Sequence, residues 1–200
     1  FPTTTLFRSA YTNSRIDKAD CFICVSRPRR FGKSMAADML TAYYSKGCDS
    51  KRLFAGRNVE EEKSFSQHLN QHNVIRLDIQ KFLETERSLD NFIEEMEKAV
   101  LREIMEEFPD SKDFGEGCRL KFVLEKIFAR TGQGFIFIID EWDFVFRIAR
   151  EHQEYQKDYL SFLRGLFKGS PYVDLAYMKG ILPVKKYGEH SAINMFKEFS

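Results

Sequence analysis

No apolar stretch in this 200-residue chain approaches the roughly 20 residues that a membrane-crossing helix needs; the longest clean run is Phe135–Ile139. No signal-peptide pattern opens the chain either. It starts at Phe1 without an initiator Met, which marks it as an expected fragment or processed product. A surplus of one charge is also missing: 31 basic and 30 acidic residues leave +1, so no global field recruits nucleic acid or an anionic membrane. Any polyanion site must therefore be local. Cysteine occurs four times, at Cys21, Cys24, Cys48 and Cys118. The first two form a C-x-x-C, but no second pair completes a zinc site, and both sit in an apolar strand where three-residue spacing points them to opposite faces. Core packing in a reduced, cytoplasmic protein is the expectation. No internal repeat is visible.

What is there suits one α/β domain: 43% apolar residues with 20 Phe are enough for a real core. Residues 1–20 are polar and aperiodic and read as a lead-in; residues 21–200 read as the domain. Cys21–Val25 and Phe135–Ile139 are unbroken apolar runs, the pattern of parallel strands buried on both faces, and Val74–Ile79 and Tyr172–Met178 are further strands. Between them the spacing predicts helices over about 33–45, with Met35, Met39, Leu40 and Tyr43 on the core face, over 88–108 with Ser88 as N-cap, over 119–129 and over 155–167. Residues 51–66 read as surface loop with some helix, and 191–199 as a short final helix. The fold class expected is a mostly parallel sheet between two helical layers, with the strands Cys21–Val25 and Phe135–Ile139 side by side.

The first chemical signal follows the first strand: Ser26-Arg27-Pro28-Arg29-Arg30-Phe31-Gly32-Lys33-Ser34. A helix opening near Gly32 leaves its first amide N–H groups unpaired and carries roughly half a positive charge there, which attracts phosphate. Gly32 lets the backbone approach the ligand, Lys33 can reach a terminal phosphate, and the Ser34 hydroxyl can enter the shell of a magnesium ion. Arg30 and Phe31 complete the candidate nucleotide-binding set, with Arg27 and Arg29 as nearby cations. The usual glycine five residues before Gly-Lys is Arg27 here, so a plain basic turn closing a strand is the competing reading.

The second signal is Asp140-Glu141-Trp142-Asp143 at the end of the most apolar strand. Ligands of open α/β sheets collect at the C-terminal strand edge. Asp140 there suits the magnesium shell, and Glu141 suits the base that orients or deprotonates an attacking water. The competing reading is that these acids merely start the next helix, and for Asp143 a capping role is the expectation.

Together with Gly180-Ile181-Leu182-Pro183-Val184-Lys185-Lys186-Tyr187, the arginine-rich loop and the Asp140–Asp143 string resemble the bacterial AAA-ATPase-like family over nearly the whole chain. The resemblance implies a P-loop NTPase fold, with phosphate contacts from Gly32 and Lys33, magnesium held through Ser34 and Asp140, and a catalytic role for Glu141; Lys33 is counted with the catalytic set for its reach to the terminal phosphate. It also implies ATP and Mg2+ as ligands and, in many members, a C-terminal nuclease-like domain, of which the 200 residues carry no trace. Two departures stand out: Lys179 precedes Gly180-Ile181 where the family usually has Thr, and the lead-in matches the usual pattern only in part. Three functions are carried forward: a Mg-dependent ATP-hydrolysing module that drives conformational change in a larger bacterial protein, a non-hydrolysing nucleotide switch, and direct nucleic-acid binding. Neutral charge argues against the third, leaving nucleic acid an indirect partner. The absence of an Asn-Lys-x-Asp string favours adenine over guanine. Oligomerisation is left open.

Overall fold

The computed structural model describes residues 11–28, 33–85, 89–114, 117–184 and 193–199, with Lys33, Ser34, Thr85 and residues 112–114 described by their backbone. Five strands form one all-parallel sheet in the order β2-β3-β4-β1-β5: β1 Phe22–Ser26, β2 Asn73–Asp78, β3 Phe135–Asp140, β4 Val173–Gly180 and β5 Lys197–Phe199. Among the described residues, after a helical segment at residues 11–13, the helices are α1 Lys33–Tyr44, α2 Lys51–Phe54, α3 Phe65–His68, α4 Ile79–Thr85, α5 Phe92–Glu107, α6 Leu120–Thr131, α7 Phe144–Ile148 and α8 Gln153–Phe167, with 3-10 turns at Asn58–Glu61 and Pro109–Phe114.

The sheet is built around β3, whose six residues are all buried. Because successive side chains point to opposite faces, complete burial requires cover on both, which is the three-layer arrangement. On one face Phe137 meets Phe167 of α8 edge-on, with ring centroids 5.2 Å apart, and Phe135 meets Phe108. Burying a side chain of that size contributes about 2–3 kcal/mol. β2 lies at the sheet edge and is more polar; its Arg76 faces outward to pair with Asp38 of α1.

Three expectations change. Strands β1 and β3 are in the same sheet but not adjacent, because β4 lies between them and pairs with both. The final segment is not a helix: residues 193–195 form a turn and Lys197–Phe199 add to β1 as an edge strand. Ile193 and Phe196, buried three residues apart, mimic a helical face over a single turn. On α1 the core face is Ala36, Ala37, Leu40, Tyr43 and Tyr44, whereas Met35 is 65% exposed. Helix α5 begins at Phe92 with Asn91 at its N-cap; Ser88 lies outside the described residues. No helix among the described residues is long and apolar enough to cross a membrane.

Candidate nucleotide site at the C-terminal edge of the sheet

All five strands are parallel, so their C-terminal ends gather Ser26, Asp78, Asp140 and Gly180 on one edge. The β1 strand exits there toward the arginine-rich loop. Arg27 donates its backbone N–H to the carbonyl of Gly180 at 3.0 Å, which fixes the loop's entry against β4. Lys33 and Ser34 open α1. Arg29, Arg30, Phe31 and Gly32 lie outside the described residues.

Asp140 closes β3 and is 1% exposed. Its Oδ2 accepts an ion pair from Lys179 Nζ at 2.7 Å, and Lys179 is equally buried. The pairing follows from strand order, since β4 sets Lys179 between the ends of β3 and β1: Met178 is opposite Ile139, and Lys179 is opposite Val25. Burial pushes the Asp140 carboxyl up from its ordinary value, and the ammonium beside it pulls in the other direction. The second oxygen, Oδ1, is buried without a hydrogen-bond partner among the described residues. That free acceptor at the end of a strand fits a metal-bound water, so Asp140 suits a magnesium shell through Oδ1.

Glu141 has a backbone φ of 50°, a left-handed conformation that a glutamate adopts at a cost on the order of 1–2 kcal/mol. Such strain at a strand end re-aims the side chain. Here the carboxylate turns to Arg147 of α7 and forms an ion pair with it. The same guanidinium approaches Asp143 at 3.4 Å. Asp143 does stand at the N-cap position of α7, but its side chain makes no capping bond; its Oδ2 accepts instead from the backbone N–H of Leu182 at 3.0 Å, tying α7 to the turn after β4. The expected helix cap is thus a strut between two segments. Asp78 is the acid that does cap, accepting from the Lys81 N–H at the start of α4.

Gly180 is where these parts converge. A Cβ there would lie 2.4 Å from Asp143 Oδ1 and 2.7 Å from Trp142 Nε1, closer than real contacts allow. Trp142 is fully buried and donates its backbone N–H to the Lys179 carbonyl at 3.1 Å. On the far side of β1, Ser26 donates to Glu198 of β5 at 2.7 Å, and Glu198 also accepts from Val184 N–H at 3.1 Å, bracing the β1 exit.

The sequence model of the family described as "predicted AAA-ATPase" matches residues 8–188. The chain belongs to that family. Comparison with curated proteins found no match. As a member of the predicted AAA-ATPase family the chain is an ATP-binding, ATPase-like protein, and its parallel sheet is of the P-loop NTPase kind. Two residues of this edge were not singled out by sequence as partners of the acids, Arg147 and Lys179. The first had a signal in its i, i+4 spacing from Asp143; the second could be matched to Asp140 only once the strand order was known.

The C-x-x-C lies away from this chemistry. Cys21 and Cys24 are buried, and all four cysteines are free thiols. Burial pushes the Cys21 thiol up to about 11 and Cys24 higher still, so neither is a thiolate near neutrality.

Proposed function

We propose that this protein binds ATP at the C-terminal sheet edge and hydrolyses it with magnesium, as a cytoplasmic module driving a conformational change in a larger bacterial protein. The phosphates would rest on Arg30, Phe31, Gly32, Lys33 and Ser34 at the N-terminus of α1. Ser34 and Asp140 Oδ1 would hold the magnesium ion, which, when bound, neutralises charge on the terminal phosphates. Glu141 would take the proton of the attacking water. The observation that carries this reading is the strained Glu141, placed directly after a buried Asp140 on the edge where the β1 loop emerges. Backbone strain at a polar residue of a strand end is retained where the side chain has work to do.

A second reading, the non-hydrolysing switch, is favoured by one specific feature: Glu141 is already paired with Arg147. For hydrolysis the carboxylate must leave that guanidinium. A protein partner, or the nuclease-like domain that many similar chains carry, is the natural recipient of the resulting motion, with nucleic acid reached only through it.

Titration of ATP against the unmodified protein and Lys33→Ala tests the reading. Loss of ATP binding in a variant with unchanged circular dichroism supports it. Unchanged affinity in the folded variant sinks the loop assignment.

A further inference from the structure

The ion pair between Lys179 and Asp140 is unusual for its depth: the two side chains are 1% and 2% exposed, at the C-terminal ends of β4 and β3. Burying such a pair is weak as a source of stability, because desolvation of both ions offsets most of their attraction. Its effect on charge is not weak. Lys179 is level with Val25 on the neighbouring strand, two residues before the arginine-rich loop starts, and Arg27 N–H is bonded to the carbonyl of the next residue, Gly180. The pair therefore underlies the entrance of the phosphate loop.

A bare carboxylate in that position repels a triphosphate, and a divalent ion is the ordinary remedy, since it bridges the two. In this chain the carboxylate carries its own cation. Another cation of this edge, Arg147, is engaged by Glu141 and Asp143. A metal ion held at Asp140 Oδ1 would share one carboxylate with an ammonium, and mutual repulsion of the two cations reduces what the metal adds to binding.

We propose that Lys179 is a metal-sparing cation of the nucleotide site: it neutralises Asp140 from within, so that ATP binding depends only weakly on Mg2+. The inference rests on the ATP-binding reading above and sharpens it, since it separates binding, where the metal is nearly dispensable, from turnover, where it remains required.

Calorimetric titration of ATP in EDTA and in saturating Mg2+ provides the test, with Lys33→Ala as the control for the site itself. The unmodified protein is expected to bind ATP in the two buffers with affinities within about tenfold of each other. Lys179→Met leaves a buried, uncompensated Asp140 and should make binding strictly metal-dependent, with a ratio of about a hundredfold or more. Lys179→Met combined with Asp140→Asn removes both charges and should return the ratio to within about tenfold. If Lys179→Met does not fold, Asp140→Asn decides: with the carboxylate neutralised, the edge gains one net positive charge and should bind ATP in EDTA about tenfold or more tighter than the unmodified protein does.

The proposal is overturned if EDTA abolishes ATP binding to the unmodified protein, if Lys179→Met keeps the original ratio, or if Asp140→Asn binds no tighter in EDTA. Strict metal dependence of binding that is still lost in Lys33→Ala defeats this inference alone. Absence of ATP binding in both buffers defeats the ATP reading and this inference with it.

Discussion

The two ends of the sheet gather carboxylates and handle them in opposite ways. At the C-terminal edge the acids of the β3–α7 junction have cations: Asp140 has Lys179, while Glu141 and Asp143 share Arg147. At the N-terminal edge Asp174, near the start of β4, has another acid as its neighbour. It shares a hydrogen bond with Asp17, and burial together with that second carboxylate raises its pKa to about 7. His72 lines the same open cavity and is lowered to about 4 by its own burial and by His68, 2.9 Å away. One end is thus compensated by fixed charges that hold at any physiological pH, and the other by a proton that leaves as pH rises. Fixed compensation suits the edge proposed to meet a polyanion; the protonated end is a matter of stability.

The largest expected effect falls on the C-terminal edge. Glu141→Gln keeps the shape of the side chain and its reach but removes the proposed base, so turnover should fall on the order of a hundredfold to ten-thousandfold while ATP still binds. A phosphate-release assay beside a binding titration reads both. If the unmodified protein turns over no faster than Glu141→Gln, the switch is the correct function.

Next in size is Gly180→Ala, which forces a methyl group against Asp143 and Trp142. Overpacking of this kind costs typically about 1–3 kcal/mol, measurable as a shift of the urea midpoint. A variant as stable as the original protein would mean that the junction between β4 and α7 is loosely packed.

The smallest effect belongs to the other end and has a definite sign. The folded pKa of Asp174 lies above its ordinary 3.8, so the folded chain holds a proton that the unfolded chain releases. Stability from this group is full below about pH 4 and declines as pH rises to about 7, since the native state binds more protons in that window. Asp174→Asn should therefore be nearly neutral at pH 4 and stabilising at pH 8, by about 1 kcal/mol after allowance for solvent screening. Thermal unfolding at both pH values checks it. Equal shifts at the two pH values would erase the contrast between the sheet ends.

Much of this layout was legible in the residues. The apolar runs Cys21–Val25 and Phe135–Ile139 could hardly be anything but buried strands, and the three-and-four spacing of Phe92, Ile93, Met96, Val100, Leu101 and Ile104 marks α5. The position of Asp140 and Glu141 at a strand end followed from the same runs. Strand order did not, because it depends on pairing between segments far apart in the chain, as Phe22 of β1 with Ala176 of β4, and local periodicity carries no record of it. For that reason β4 was not expected between β1 and β3, and Lys179 looked like a mere departure from a family pattern. Strand β5 failed for a different cause: three residues, two of them the charged Lys197 and Glu198, are too few to show alternation, while Ile193 and Phe196 supply a false helical repeat. Arg30, Phe31 and Gly32, the middle of the candidate loop, lie outside the described residues and remain part of the proposal.

Trp142 is the single tryptophan of the chain. It stands between Glu141 and Asp143, with its ring 5.5 Å from Phe146 and its indole beside the thiol of Cys24. Nature has in effect placed one intrinsic fluorophore, with a quencher next to it, at the junction where Glu141 must swing if it is to leave Arg147. Emission excited at the indole band therefore reports on this junction alone, unlabelled and in real time. Stopped-flow mixing with nucleotide tests for that swing.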